Sequence, residues 1–191
     1  MMIEIMRHLD KHGVGSILPD LPGTNESRFP LEQASLTIWR EALAHCAKSL
    51  AKPLYVASFR GGCLIDDFAE DARKWRLAPA KGSSLLRTMM RTRMASDKEA
   101  GLATNMAQLA EEAQQGHVNL AGNHIGAAMF AELQGAVPPS SGDIRTAQLA
   151  NSAQAADVKL SGSALWLRAE PDDDPQLAGA IADDLLSWLA Q

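Results

Sequence analysis

PLYVASFRGGCL, residues 53–64, is the stretch on which the reading of the fold turns. YVASF (55–59) is a short run of aromatic, β-branched and small residues, the composition of a strand buried on both faces. Gly61 and Gly62 follow, and adjacent glycines mark a sharp turn with close backbone approach. The residues after them read as the start of a helix. Strand, tight turn and helix in that order make the repeating unit of an open α/β sheet. The corner residue then projects outside the carboxyl end of its strand, where such sheets gather ligands.

Two further runs have the same character, VGSILPD (14–20) and ALWLRAE (164–170). Between the first of these and YVASF, Leu36, Trp39, Leu43, Cys46 and Leu50 recur at spacings of three and four, which predicts a helix with one apolar stripe. The three segments form a βαβ unit. WRLAPA (75–80), HVNLAGN (117–123) and DIRTAQLA (143–150) are the other predicted strands, and helices fill the intervals. The closing helix has the most complete signature. Asp174 can cap it, Pro175 suits its first position, and Asp172, Asp173 and Asp174 complement the positive end of its dipole. Leu177, Ile181, Leu185, Trp188 and Leu189 form its buried face, with Asp183, Asp184 and Ser187 outside or at the edge. VPPSSGD (137–143) reads as an exposed loop. Alternating strands and helices of this kind predict a doubly wound α/β domain.

The chain of 191 residues is long enough for one sizeable core and gives no reason to be divided. A hydrophobic content of 46% with a formal net charge of -5 fits a soluble globular protein. It argues against nucleic acid as a partner, because a general binder needs an excess of Lys and Arg to replace counterions. MMIEIMRHLDKHG is interrupted by Glu4, Arg7 and His8, so it reads neither as a signal peptide nor as a membrane span, and a cytoplasmic location is expected. Cys46 and Cys63 lack the spacing of a zinc site and read as free thiols. No metal or cofactor is expected.

ILPDLPGTNES, standing ahead of VASFRGG, resembles the strand, turn and loop that precede the nucleophile elbow in the α/β-hydrolase superfamily. More narrowly, the chain resembles the degenerate hydrolase-like proteins associated with the exosortase A system, bacterial proteins linked to exopolysaccharide production and protein sorting. The likeness lies in LPDLPG, in a Trp-containing helix and in an elbow without serine. WRLAPAKGSSLLRTMMRTRM, HVNLAGNHIGAAMFAEL and ALWLRAEPDDDPQLAGAIADDLLSWL extend it over most of the chain. The resemblance implies a single domain over 1–191, a truncated α/β-hydrolase-like fold with a doubly wound, mainly parallel sheet and helices on both faces, and about 81–136 as a cap-like helical portion. Three strands of the superfamily have no counterpart here, including the one between the DLPG-type strand and the elbow strand. Either those two strands pair directly, or another chain fills the gap, or the beginning of the chain has been lost.

In the elbow pattern Gly-x-Ser-x-Gly, counting back from Gly61 puts Phe59 at the corner, a residue that cannot attack a substrate. Ser58 should point to the opposite side of the strand by alternation, and Cys63 falls within the following helix. The superfamily's histidine follows the last strand, yet RAEPDDDP contains none. His8, His12, His45 and His117 read as surface or capping residues, while His124 follows AGN at a strand end and opens a helix, a position that permits ligand contact. Asp20 reads as a turn holder. Arg87 and Arg91 lie one helical turn apart, on a solvated face or in a patch for phosphate or an acidic partner. Arg60 projects into the cleft, either to hold an anionic group or to form a salt bridge across it.

These residues favour a non-catalytic protein that binds a small ligand or a protein partner, with Phe59, Arg60, His124 and Asn25 as ligand contacts. The resemblance alone supplies the exosortase-linked or exopolysaccharide-linked pathway. One alternative is an atypical ester or thioester hydrolase with Ser58 or Cys63 as nucleophile and His124 as base. Another is a subunit whose sheet is completed by a second chain, since an open edge invites pairing and a homodimer would cover it.

Overall fold

The computed structural model describes residues 1–120, 122–167 and 173–191. In chain order the described elements are α1 (Met2–Lys11), α2 (Leu36–Ala47), β1 (Tyr55–Phe59), β2 (Arg73–Leu77), α3 (Gly82–Glu99), α4 (Met106–Gln114), β3 (His117–Leu120), β4 (Asn123–Gly126), α5 (Ala127–Gly135), β5 (Ile144–Leu149), β6 (Val158–Leu160) and α6 (Pro175–Leu189). Short 3-10 turns stand at Leu31–Gln33, Arg60–Leu64, Asp66–Phe68 and Leu165–Leu167. The protein is an α/β fold around a four-stranded sheet ordered β1-β2-β5-β6, in which every pairing is parallel. β3 and β4 form a separate antiparallel pair. No helix among the described residues is long and apolar enough to cross a membrane.

One face of the sheet is apolar. Trp75 and Leu77 of β2 and Ala147 and Leu149 of β5 meet Ile5 and Leu9 of α1 and Leu177, Ile181, Leu185 and Trp188 of α6 in one buried cluster. The stripe on α6 is the one its periodicity dictates, and the helix begins where Asp174 accepts a hydrogen bond from the Leu177 N–H, with Pro175 in the first turn. Asp172 and the strand residues 168–170 lie outside the described residues.

Asp184, expected outside the apolar face of α6 or at its edge, is half-buried against the sheet. Its carboxylate accepts two bonds from Arg145, at 2.6 and 3.0 Å, and one from the fully buried Trp75 indole at 2.7 Å. Burial pushes this carboxyl's pKa up, but the hydrogen bonds from Arg145 and Trp75 outweigh it and hold the group below its ordinary value. A depressed folded-state value means that the contribution to stability is present above the unfolded value, about pH 4, and is lost as pH falls through the folded value. We therefore expect the stability gap between wild type and Asp184→Asn, measured by urea unfolding, to narrow as pH is lowered below about 4. Parallel pH profiles for the two proteins would contradict this linkage.

The other sheet face carries buried polar side chains: Ser58, Lys74, Arg76 and Gln148. It is covered by the 3-10 turns between β1 and β2 and by the 137–143 loop, whose Pro139 carbonyl accepts a bond from Arg76 at 2.6 Å. Residues 82–135 build a second cluster from α3, α4, the β3–β4 hairpin and α5, with Leu86, Leu109, Val118, Leu120, Met129 and Phe130 inside. Gly126 locks this part to the Leu31–Gln33 turn. A Cβ there would stand 1.8 Å from the Glu32 carbonyl oxygen, so only glycine permits the approach.

Several expected elements differ. Residues 14–20 form no strand, and Ile17 and Leu18 are exposed, because an apolar run becomes a strand only where a neighbour supplies backbone partners. Direct pairing of that segment with β1 is therefore not what completes the sheet. Leu165–Leu167 is a 3-10 turn rather than strand. The predicted strand 117–123 is divided between the two arms of a hairpin, β3 and β4, and Gly122 ahead of the second arm has φ 85°. His124 accordingly lies in β4, and the helix opens at Ala127. The three-residue β6 carries too little pattern to be read in advance.

Candidate functional site

β1 ends with Phe59 in extended conformation, φ -125° and ψ 130°, and the chain then turns at Arg60, whose φ is 52°. The corner is therefore Arg60, not Phe59. Left-handed backbone in a residue with a Cβ costs on the order of 1–3 kcal/mol and clusters at functional positions. The spacing agrees. Gly62 folds back over Ser58, where a Cβ would lie 3.9 Å from the Ser58 Cβ, so the small residues two before and two after the corner are Ser58 and Gly62. Gly61 approaches α3, and a Cβ on it would meet Leu85 Cδ1 at 2.9 Å. No α-helix follows the turn. The Arg60–Leu64 and Asp66–Phe68 3-10 turns lead directly to β2.

Ser58 faces the polar side of the sheet. Its Oγ donates to Asp66 Oδ2 at 2.6 Å and lies 3.3 Å from Cys63 Sγ. A hydroxyl has one proton to give, and its contact with the carboxylate is much the shorter of the two. Asp66, 1% exposed, also accepts from Arg76 Nε at 2.7 Å and Nη2 at 2.6 Å. The bidentate guanidinium compensates the charge of this carboxylate and occupies both of its oxygens. Burial, foremost, pushes the Cys63 thiol up to about 11, with the Asp66 charge adding to it against the Ser58 hydrogen bond and the Arg76 charge. Both nucleophile candidates thus sit in a satisfied, buried network.

The histidines stand apart from this network. His124 is exposed on the hairpin, with its ring centroid 5.6 Å from that of His117. His8 of α1 pairs with Asp183 and stacks on His12, the residue after that helix, and His45 is exposed on α2. Among the described residues no histidine hydrogen-bonds Ser58, Cys63 or Asp66, and no group of three metal-binding side chains converges. Asn25 is exposed, with φ 46°, and its amide donates to Asp20 at 2.8 Å, so the two hold the DLPG turn. Trp39 anchors that turn to α2 through the Pro22 carbonyl at 2.8 Å. Arg87 and Arg91 are exposed on α3.

A cavity of about 310 Å³ runs along the outer edge of β1, lined by Tyr55–Phe59, by Ile17, Leu18 and Leu21, by Leu43 and Cys46 of α2, and by Leu50 beyond it. Among the described residues, β1 is hydrogen-bonded to a strand on its β2 side alone. Asp66, Arg76 and Trp166 are the site residues that the sequence did not single out. Their roles depend on which strand ends and turns meet, and no spacing in the chain encodes that. In comparisons with known proteins, no family model, curated protein or solved structure matches this chain.

Proposed function

We propose that this chain is a non-catalytic α/β-hydrolase-like protein that binds a small ligand or partner at the carboxyl end of β1, in an exosortase-linked or exopolysaccharide-linked pathway. The observation that carries the reading is the corner itself. Arg60 occupies the place of a nucleophile, and the adjacent Ser58 has its only proton committed to Asp66, which Arg76 neutralises. The four parallel strands, with a tight turn after β1, agree with the resemblance, and the pathway rests on the resemblance alone.

Turnover of p-nitrophenyl acetate and of an acyl thioester tests it. We expect rates at the uncatalysed background, unchanged by Ser58→Ala or Cys63→Ala. Saturable turnover abolished by either substitution would replace this reading with that of an atypical ester or thioester hydrolase.

A second reading is favoured by the open edge of β1, whose outer backbone groups face an apolar groove. A sheet edge of this kind accepts an extended strand of another chain. Hydrogen exchange of the β1 amides over a range of protein concentration checks this, with slowing on assembly as the expected result. A monomer at every concentration, with β1 protected throughout, would exclude it.

A further inference from the structure

The described arginines that are not exposed are Arg40, Arg60, Arg73, Arg76, Arg93 and Arg145. Arg40 pairs with Asp67, Arg73 with Asp143, Arg76 with Asp66, Arg93 with Asp97 and Arg145 with Asp184. Arg60 is the exception. Among the described residues it meets no carboxylate. Its one hydrogen bond is a long one, from Nη1 to the Ala78 carbonyl at 3.3 Å. A guanidinium has five N–H donors in a planar fork, so most of this fork's capacity is unused by the described residues.

The surroundings fix the group without neutralising it. Its Cζ lies 4.8 Å from the centroid of the Trp166 ring, a cation–π contact that holds the group while leaving its N–H donors unengaged by the ring. Ala78, which accepts from it, is itself left-handed at φ 46°, and the Arg60 carbonyl accepts from the Ala80 N–H at 3.3 Å. Two strained non-glycine corners, at the carboxyl ends of adjacent strands, thus brace one another. Burial lowers the arginine's pKa, which is the signature of a cation partly removed from water without a counter-ion.

We propose that Arg60 is the anchor of an anion-binding site at the carboxyl ends of β1 and β2, and that its ligand is an organic oxyanion received by the guanidinium fork beside Trp166. A carboxylate or a phosphate presents the two parallel acceptors that such a fork matches. The inference rests on the binding reading above and deepens it by naming the ligand class.

Calorimetric titration with benzoate and, separately, with inorganic phosphate tests it on wild type, Arg60→Gly and Arg60→Gln. Glycine suits φ 52°, so Arg60→Gly is expected to melt no lower than wild type, which keeps misfolding from mimicking lost binding. We expect saturable binding of at least one anion by wild type, weakened at least tenfold in both variants. The anion that binds distinguishes a carboxylate site from a phosphate site. No saturable binding of either anion by wild type would overturn the proposal, as would undiminished binding by folded Arg60→Gly. Ester turnover is measured on the same samples. Turnover alongside Arg60-dependent binding would support the anion site while removing the non-catalytic reading, and neither turnover nor binding would remove the site alone.

Discussion

Replacing Asp66 with Ala is expected to destabilise the protein by about 3–5 kcal/mol, the cost of leaving a buried guanidinium without its counter-charge. Asp66 is 1% exposed and Arg76 4% exposed, and the carboxylate accepts two bonds from that guanidinium and one from Ser58. Removing it strands both donors under the turns that cover the polar sheet face, where water cannot readily replace the lost acceptor. The pair is not thereby a large net source of stability. Replacing both residues with apolar side chains of similar volume, Asp66→Leu with Arg76→Met, is expected to cost much less than Asp66→Ala, because desolvation of both charges is avoided. Urea unfolding midpoints measure the difference. A loss below about 1 kcal/mol for Asp66→Ala would mean that Arg76 finds water or another acceptor, and that Ser58 is not locked in the way described.

Cys63 is expected to be alkylated at least about 100-fold more slowly in the native protein than in the unfolded chain at pH 8. A thiol whose pKa is pushed up to about 11 is ionised in about one molecule in a thousand at that pH, against about a quarter for an ordinary cysteine near 8.5. Burial at 0% exposure adds a steric barrier to the chemical one. Cys46, partly exposed on α2 and lining the apolar groove, serves as the internal reference. Iodoacetamide labelling followed by peptide mapping, in buffer and in urea, reads both sites at once. Native-state alkylation of Cys63 within about threefold of the unfolded rate would show an accessible thiolate and reopen its candidacy as a nucleophile.

Much of the framework could be read from local chemistry. β1, α2 and α6 appear where their apolar spacing puts them, and the α6 start follows from Asp174 and Pro175. What failed depended on partners distant in sequence. VGSILPD has the composition of a strand but no neighbour to pair with. HVNLAGN has the pattern of one strand because its apolar residues continue into HIGAAMF without an evident break, whereas its two ends belong to the antiparallel strands β3 and β4. Asp184 sits on the helix at a position that looks solvated until β2 and β5 bring Trp75 and Arg145 to it.

The candidate site shows the same division. That a turn after β1 lacks serine was legible, but adjacent glycines leave the register open by one residue. Counting from Gly61 selects Phe59, and counting from Gly62 selects Arg60, the residue that carries the left-handed backbone. That Arg60 meets no carboxylate among the described residues could not be seen in the chain at all, since it emerges only when the other arginines that are not exposed are found with their aspartates.

The most direct test of the central claim, that the elbow corner holds no working nucleophile, is labelling with a small fluorophosphonate on native and urea-unfolded protein, with the modified residue mapped by mass spectrometry. We expect no residue to be labelled in a fold-dependent way, because the Ser58 hydroxyl donates to Asp66, whose charge Arg76 balances, and Arg60 stands at the corner. Stoichiometric labelling of Ser58 in the native protein, lost on unfolding, would show an activated serine and contradict that claim.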